Sequence, residues 1–119
     1  MNRTGIVKDG RYLEHIMDPG HPESPERLRV IYQMLEEAEM KSLFEEVKPR
    51  AANREELEAI HSPSYIDLVA STAGKPYFRL DMDTSTCAKS YEAALFAAGG
   101  FLELIKAIMR ENSTMDLPW

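Results

Sequence analysis

The sequence predicts an α/β fold with two short strands in its N-terminal half and about four helices. Three observations carry this. "TGIVKD" and "LFEEVKP" are short segments of strand composition, and two Ser-Pro pairs open runs with helical apolar spacing. "SYEAALFAAGGFLELIKAIM" then keeps a helical pattern throughout. At 119 residues the chain is one domain at most, or part of one.

The first strand centres on Ile6 and Val7, with a turn-rich "DPGHPESPE" loop beyond it. Ser24 suits an N-cap and Pro25 the first helical position, where its missing N–H leaves nothing unpaired. Leu28, Ile31, Met34, Leu35 and Ala38 follow at the spacing of one apolar stripe. "LFEEVKP" is a weaker strand signal, stopped by Pro49.

Asn53 and Glu56 stand three apart, the pattern of a capping box, ahead of a short helix carrying Leu57 and Ile60. Ser62-Pro63 opens the next helix, with Tyr65, Ile66 and Val69 inward and Gly74 as its stop. "GKPYFRLDMDTST" reads as loop, and the last helix runs from about Ala88 to about Arg110. Gly99 and Gly100 inside it cost about 1 kcal/mol each against alanine. They are tolerable where another backbone approaches closely.

With 44% hydrophobic and 29% charged residues the composition is that of a globular domain. The net charge of −6, without any run of Lys or Arg, argues against direct nucleic-acid binding. One cysteine excludes an internal disulfide, and no signal peptide or membrane span is visible. Cytoplasmic location, with no membrane partner, is the expectation.

The residues alone assemble no catalytic constellation. His15, His21 and His61 lack any paired ligand spacing; the first two read as loop histidines and His61 as a packed, hydrogen-bonded one. Asp81 and Asp83 alternate along an extended segment and so face together. Solvated carboxylates ahead of a helix N-terminus are the plain reading of that pair. Arg27 reads as a surface arginine beside the stripe, and Cys87 as an inert thiol with no basic neighbour in sequence.

The blocks "GHPESPERLRVI", "IHSPSYIDLV" and "DMDTSTCAKSYEAALFAAGG", in this order, resemble the start of the histone deacetylase family. The closest look is to its acetoin-utilisation proteins and acetylpolyamine amidohydrolases. The resemblance covers residues from Thr4 to about Arg110. It implies an incomplete, N-terminal part of an arginase/deacetylase-like parallel sheet, from a domain that hydrolyses acetylated amines with zinc.

It also implies roles for four residues. Asp83 falls where the family places a rim carboxylate, or its substitute, that binds the substrate backbone. His21 and Pro22 fall in a loop at the pocket mouth, and Arg27 where many members line an internal cavity. His61 and Tyr65 match positions of structural character. The family's paired histidines and zinc ligands lie further on, so no catalytic residue, metal ligand or cofactor is expected within this chain.

Residues 1–110 are thus expected to form the N-terminal part of a deacetylase-like domain, with 111–119 a non-homologous tail. "ENSTMDLPW" read one base earlier gives a forced glycine at Met115-Asp116 and, from Trp119 and a stop codon, a forced valine. Ordinary codons complete Gly-Glu-Phe-Asp-Asn-Gly-Phe-Ala-Leu-Val, close to the family's next strand. The tail is therefore expected to be a frameshift remnant.

The function expected is a truncated zinc-dependent deacetylase-like amidohydrolase, inactive alone. Self-association is expected through the exposed edge of the first strand and the face of the last helix. The alternative is a small helical interaction or oligomerisation module without catalysis. A free-standing metal hydrolase built on His21, Asp81 and Asp83 is the weakest reading.

Overall fold

The computed structural model describes residues 4–114. Strand β1 (Thr4–Ile6) pairs in parallel with β2 (Phe44–Glu46), Thr4 opposite Phe44 and Ile6 opposite Glu46. A parallel pair needs a crossover, since a tight turn reverses direction. Helices α1 (Pro25–Leu35) and α2 (Ala38–Lys41) supply it. Both predicted strands are present and the α/β class holds.

A short 3-10 helix, Gly10–Glu14, lies in the crossover ahead of α1 and escaped the sequence reading. The Asp9 carboxylate caps it by accepting from the Arg11 N–H at 2.8 Å. The Tyr12 hydroxyl donates to the carbonyl of Phe96, also at 2.8 Å, and the Arg11 guanidinium sits 4.0 Å from the Phe96 ring centroid. These contacts tie the 3-10 helix to α5 (Ser90–Thr114), the long helix predicted at the end of the chain.

Helix α1 begins at Pro25 as expected, but the Ser24 side chain makes no capping bond. The stripe is also less uniform than its spacing suggests. Leu35 is buried and Leu28 half-buried, whereas Ile31 and Met34 are exposed and Ala38 opens α2.

Helix α3 (Arg54–Glu58) carries both halves of the capping box. Asn53 Oδ1 accepts from the Glu56 N–H at 2.8 Å, and Glu56 Oε1 from the Asn53 N–H at 2.9 Å. Ile60 lies beyond the helix end and is 86% exposed, so it is no core residue. In α4 (Pro63–Ala70) the Ser62 hydroxyl accepts from the Tyr65 N–H, and Ile66 is buried. Tyr65, expected inward, faces solvent, because a helix this short has room for one fully covered position.

Gly74 ends the following turn at φ +81°, where a side chain is strained, and its N–H donates to the Ala88 carbonyl. The segment read as loop contains a small antiparallel hairpin, β3 (Phe78–Arg79) and β4 (Ser85–Thr86). Its strands are too short to show period-2 alternation.

Of the adjacent glycines of α5, Gly99 meets the predicted backbone, while Gly100 faces the side chains of Tyr12, Val7 and Pro49. Residues 50–52 cross the helix so closely that a Cβ on Gly99 would collide with the Arg50 carbonyl oxygen. The Ala52 N–H donates to the Leu95 carbonyl at 2.9 Å, fixing that approach. Helix α5 continues to Thr114, past the Arg110 end expected; residues 115–119 of the predicted tail lie outside the described residues.

Arg50 fastens the same crossing. Its guanidinium grips both Glu56 oxygens at 2.8 and 2.7 Å and donates from Nε to Glu103 at 3.0 Å. Hydrogen bonds from Arg50, then from the Asn53 N–H, bring the Glu56 carboxyl from its ordinary 4.5 down to about 2. A depressed carboxylate contributes stability that is complete above its unfolded value and fades below it. Stability in urea titrations is therefore expected to fall as pH drops from about 4.5 to about 2. In Arg50→Gln that part of the slope should flatten; an unchanged slope would remove Glu56 from its origin.

Candidate functional site

Two loops bring together the residues singled out in the sequence. The first, between the 3-10 helix and α1, carries His21 on a turn closed by the His21 N–H to the Asp18 carbonyl at 3.0 Å. The second is the tip of the β3–β4 hairpin, which carries Asp81 and Asp83. His21 Nε2 lies 3.0 Å from Asp83 Oδ1 and 3.1 Å from the Asp83 carbonyl. Arg79 adds a second tie, with Nη2 3.3 Å from Asp18 Oδ2.

The tip is shaped by its own acids. Asp81 Oδ1 accepts from the Asp83 N–H at 2.8 Å, the bond that chiefly holds the Asp81 carboxyl below its ordinary value. The two carboxylates thus make different bonds, Asp81 to the backbone of the tip and Asp83 to His21. The Asp83 side chain is 91% exposed, and Oδ2 has no partner among the described residues.

Pro22 is exposed beside His21. Arg27 stands exposed on α1, with no partner for its guanidinium among the described residues. An apolar groove of about 410 Å³ lies next to the hairpin, walled by Tyr12, Leu28, Val69, Leu80, Thr84 and Tyr91 among others. Arg27 is not in that wall.

The other two histidines are apart from this pair. His15 Nδ1 lies 2.6 Å from the buried Ser90 hydroxyl, which also accepts from the Cys87 N–H at 2.8 Å at the start of α5. Cys87 is not the isolated thiol its sequence neighbours suggest. Burial pushes it up, but hydrogen bonds from the Ser90 hydroxyl and from the backbone of Ile16, Lys89 and Ser90 together outweigh this and leave it below its ordinary value. His61 is exposed and leans on Tyr65, with ring centroids 5.5 Å apart, so it is not the packed, hydrogen-bonded residue expected.

Among the described residues no three His, Cys, Asp or Glu side chains converge to hold a metal ion. Zinc does not fit this donor set, because each histidine is committed to a different neighbour. Among the described residues no helix is long and apolar enough to cross a membrane.

Comparison with known proteins agrees with the blocks from which the resemblance was drawn. A family profile described as the histone deacetylase domain matches residues 21–117. A probable deacetylase of Archaeoglobus fulgidus is 30% identical over 114 residues, covering 92% of this chain and 31% of that protein. Human histone deacetylase 7 is 32% identical over 89 residues, covering 71% of this chain and 9% of that protein. The crystal structure of the HDA15 HD domain superposes with a TM-score of 0.75 at 30% identity, over 82% of this chain and 29% of that one.

The chain thus spans under a third of the length of these relatives. Over the matched part its strands and helices take the arrangement of the HDA15 HD domain, which is the fold the sequence implied. On the extent of the family match and these similarities, the chain belongs to the histone deacetylase family.

Proposed function

We propose that residues 1–110 form the N-terminal part of a zinc-dependent deacetylase-like amidohydrolase and supply the rim of its substrate pocket, not its metal centre. The observation that carries this is the His21–Asp83 contact, which joins two of the family's matching blocks into one exposed, hydrogen-bonding edge. Asp83 is the rim carboxylate that accepts from a substrate amide N–H. His21 and Pro22 form the mouth loop, and Arg27 lines the internal cavity of the complete domain. Zinc, supplied by ligands outside these residues, would polarise the scissile amide and activate water.

On this reading the 119-residue chain alone neither retains zinc nor hydrolyses acetyl-lysine substrates. Metal analysis after dialysis, with a deacetylase assay on the same sample, is the test. One tightly held zinc per chain, with activity abolished by a chelator, would overturn it.

A second reading, an oligomerising helical module, is favoured by one feature of α5. Phe101, Ile105, Ile108 and Met109 recur at helical spacing and are all exposed. Apolar stripes of this kind drive pairing with a second copy. Light scattering is expected to show mass rising with concentration, and a monomer at every concentration would rule this reading out.

A further inference from the structure

The structure assigns His21 a positioning role: it clamps the Asp83 carboxylate in one orientation and leaves Oδ2 alone to accept from a substrate amide. The substrate half of this statement rests on the deacetylase reading above. The clamp itself rests on geometry.

Each ring nitrogen of His21 faces partners of one kind. Nδ1 is 3.0 Å from the Glu23 N–H, which can only donate. Nε2 faces Asp83 Oδ1 and the Asp83 carbonyl, which can only accept. The ring proton therefore sits on Nε2, and the imidazole spans the two loops as a directed link. Its two ends fix the ring plane, so the bond to Oδ1 has a defined direction.

Exposure divides the labour between them. The His21 side chain is only 19% exposed, while that of Asp83 is 91% exposed. An aspartate so exposed would ordinarily turn among its staggered rotamers. The shielded imidazole removes that freedom before any ligand arrives, which is the advantage of preorganisation. One oxygen is occupied and the other is presented.

The hairpin does not depend on the clamp for its backbone. The Leu80 N–H donates to the Thr84 carbonyl at 2.8 Å, the Asp83 N–H to Asp81, and Arg79 reaches both the Met82 carbonyl and Asp18. Loss of the imidazole should free the Asp83 side chain without opening the turn. That separates a positioning role from a structural one.

The test uses the 119-residue chain in solution by NMR. Long-range nitrogen–proton spectra at alkaline pH should show His21 protonated on Nε2. Three-bond couplings should place Asp83 χ1 in a single rotamer. In His21→Ala those couplings should move to rotamer-averaged values, while exchange protection of the Leu80 amide is kept. His21→Gln, which returns a donor at a similar reach, should recover part of the single-rotamer signature.

Asp83 couplings already averaged in the wild type, or unchanged in His21→Ala, would overturn the clamp. Loss of Leu80 protection together with the couplings would make His21 structural instead. The measurement needs no substrate, so failure of the deacetylase reading leaves its outcome unaltered.

Discussion

Replacing Gly99 with alanine is expected to cost about 3 kcal/mol of folding stability, the upper part of the ordinary range for overpacking a filled site. In an exposed helix the same change gains about 1 kcal/mol through propensity. Here the sign reverses because of what the methyl would meet. It would strike the Arg50 carbonyl oxygen and lie 2.8 Å from both the Ala51 carbonyl carbon and the Ala52 nitrogen. These are backbone atoms, pinned by the Ala52–Leu95 hydrogen bond and the Arg50 ion pairs, and they cannot rotate away.

Gly100→Ala is the comparison. Its methyl would crowd side-chain atoms, the Tyr12 hydroxyl and Val7 Cγ1 at 2.8 Å and Pro49 Cβ at 3.2 Å, which have more room to yield. A smaller loss is expected there. Urea denaturation of both variants measures the difference. A Gly99→Ala chain as stable as the wild type would mean that residues 50–52 do not cross α5 as described.

The second large effect concerns Asp83 and needs this segment joined to the remainder of a deacetylase domain. Asp83→Ala is then expected to lower kcat/KM by one to two decades, since a charge-assisted hydrogen bond contributes about 1.5–3 kcal/mol. Folding should be unaffected, because the side chain is 91% exposed. Arg27→Ala, at an exposed position, should change the stability of the chain alone by no more than about 0.5 kcal/mol. Unchanged kinetics in Asp83→Ala would remove that residue from substrate binding.

What was legible in the sequence was local. The Asn53–Glu56 box and the proline-led helix starts each depend on residues a few positions apart, and each formed, whereas α4 ends at Ala70, ahead of the Gly74 expected to stop it. The paired glycines of α5 announced a close approach, though not that residues 50–52 would make it.

The failures have equally physical causes. Periodicity places Tyr65 inward on the assumption of a core wide enough to cover every position of a stripe, yet Tyr65 is exposed. The hairpin went unseen because two residues per strand carry no alternation. His21 and Asp83 were each singled out, but their contact joins positions 62 apart, and that of His15 with Ser90 joins positions 75 apart. No spacing rule reaches so far. Only the fold supplies those neighbours, and with them the depressed Cys87 thiol.

The anchoring of Tyr12 on Phe96 bears on how the protein is made. The hydroxyl and its acceptor are separated by 84 residues, so the ribosome releases one long before the other. At cellular elongation rates that interval is roughly 4 to 17 seconds. Throughout it the Gly10–Glu14 helix has no α5 to rest on, and the partner of β1 is made only about two-fifths of the way through. Isolated turns of this length do not hold themselves together in water. The contacts that hold the Gly10–Glu14 helix in place can therefore form only once α5 has been made.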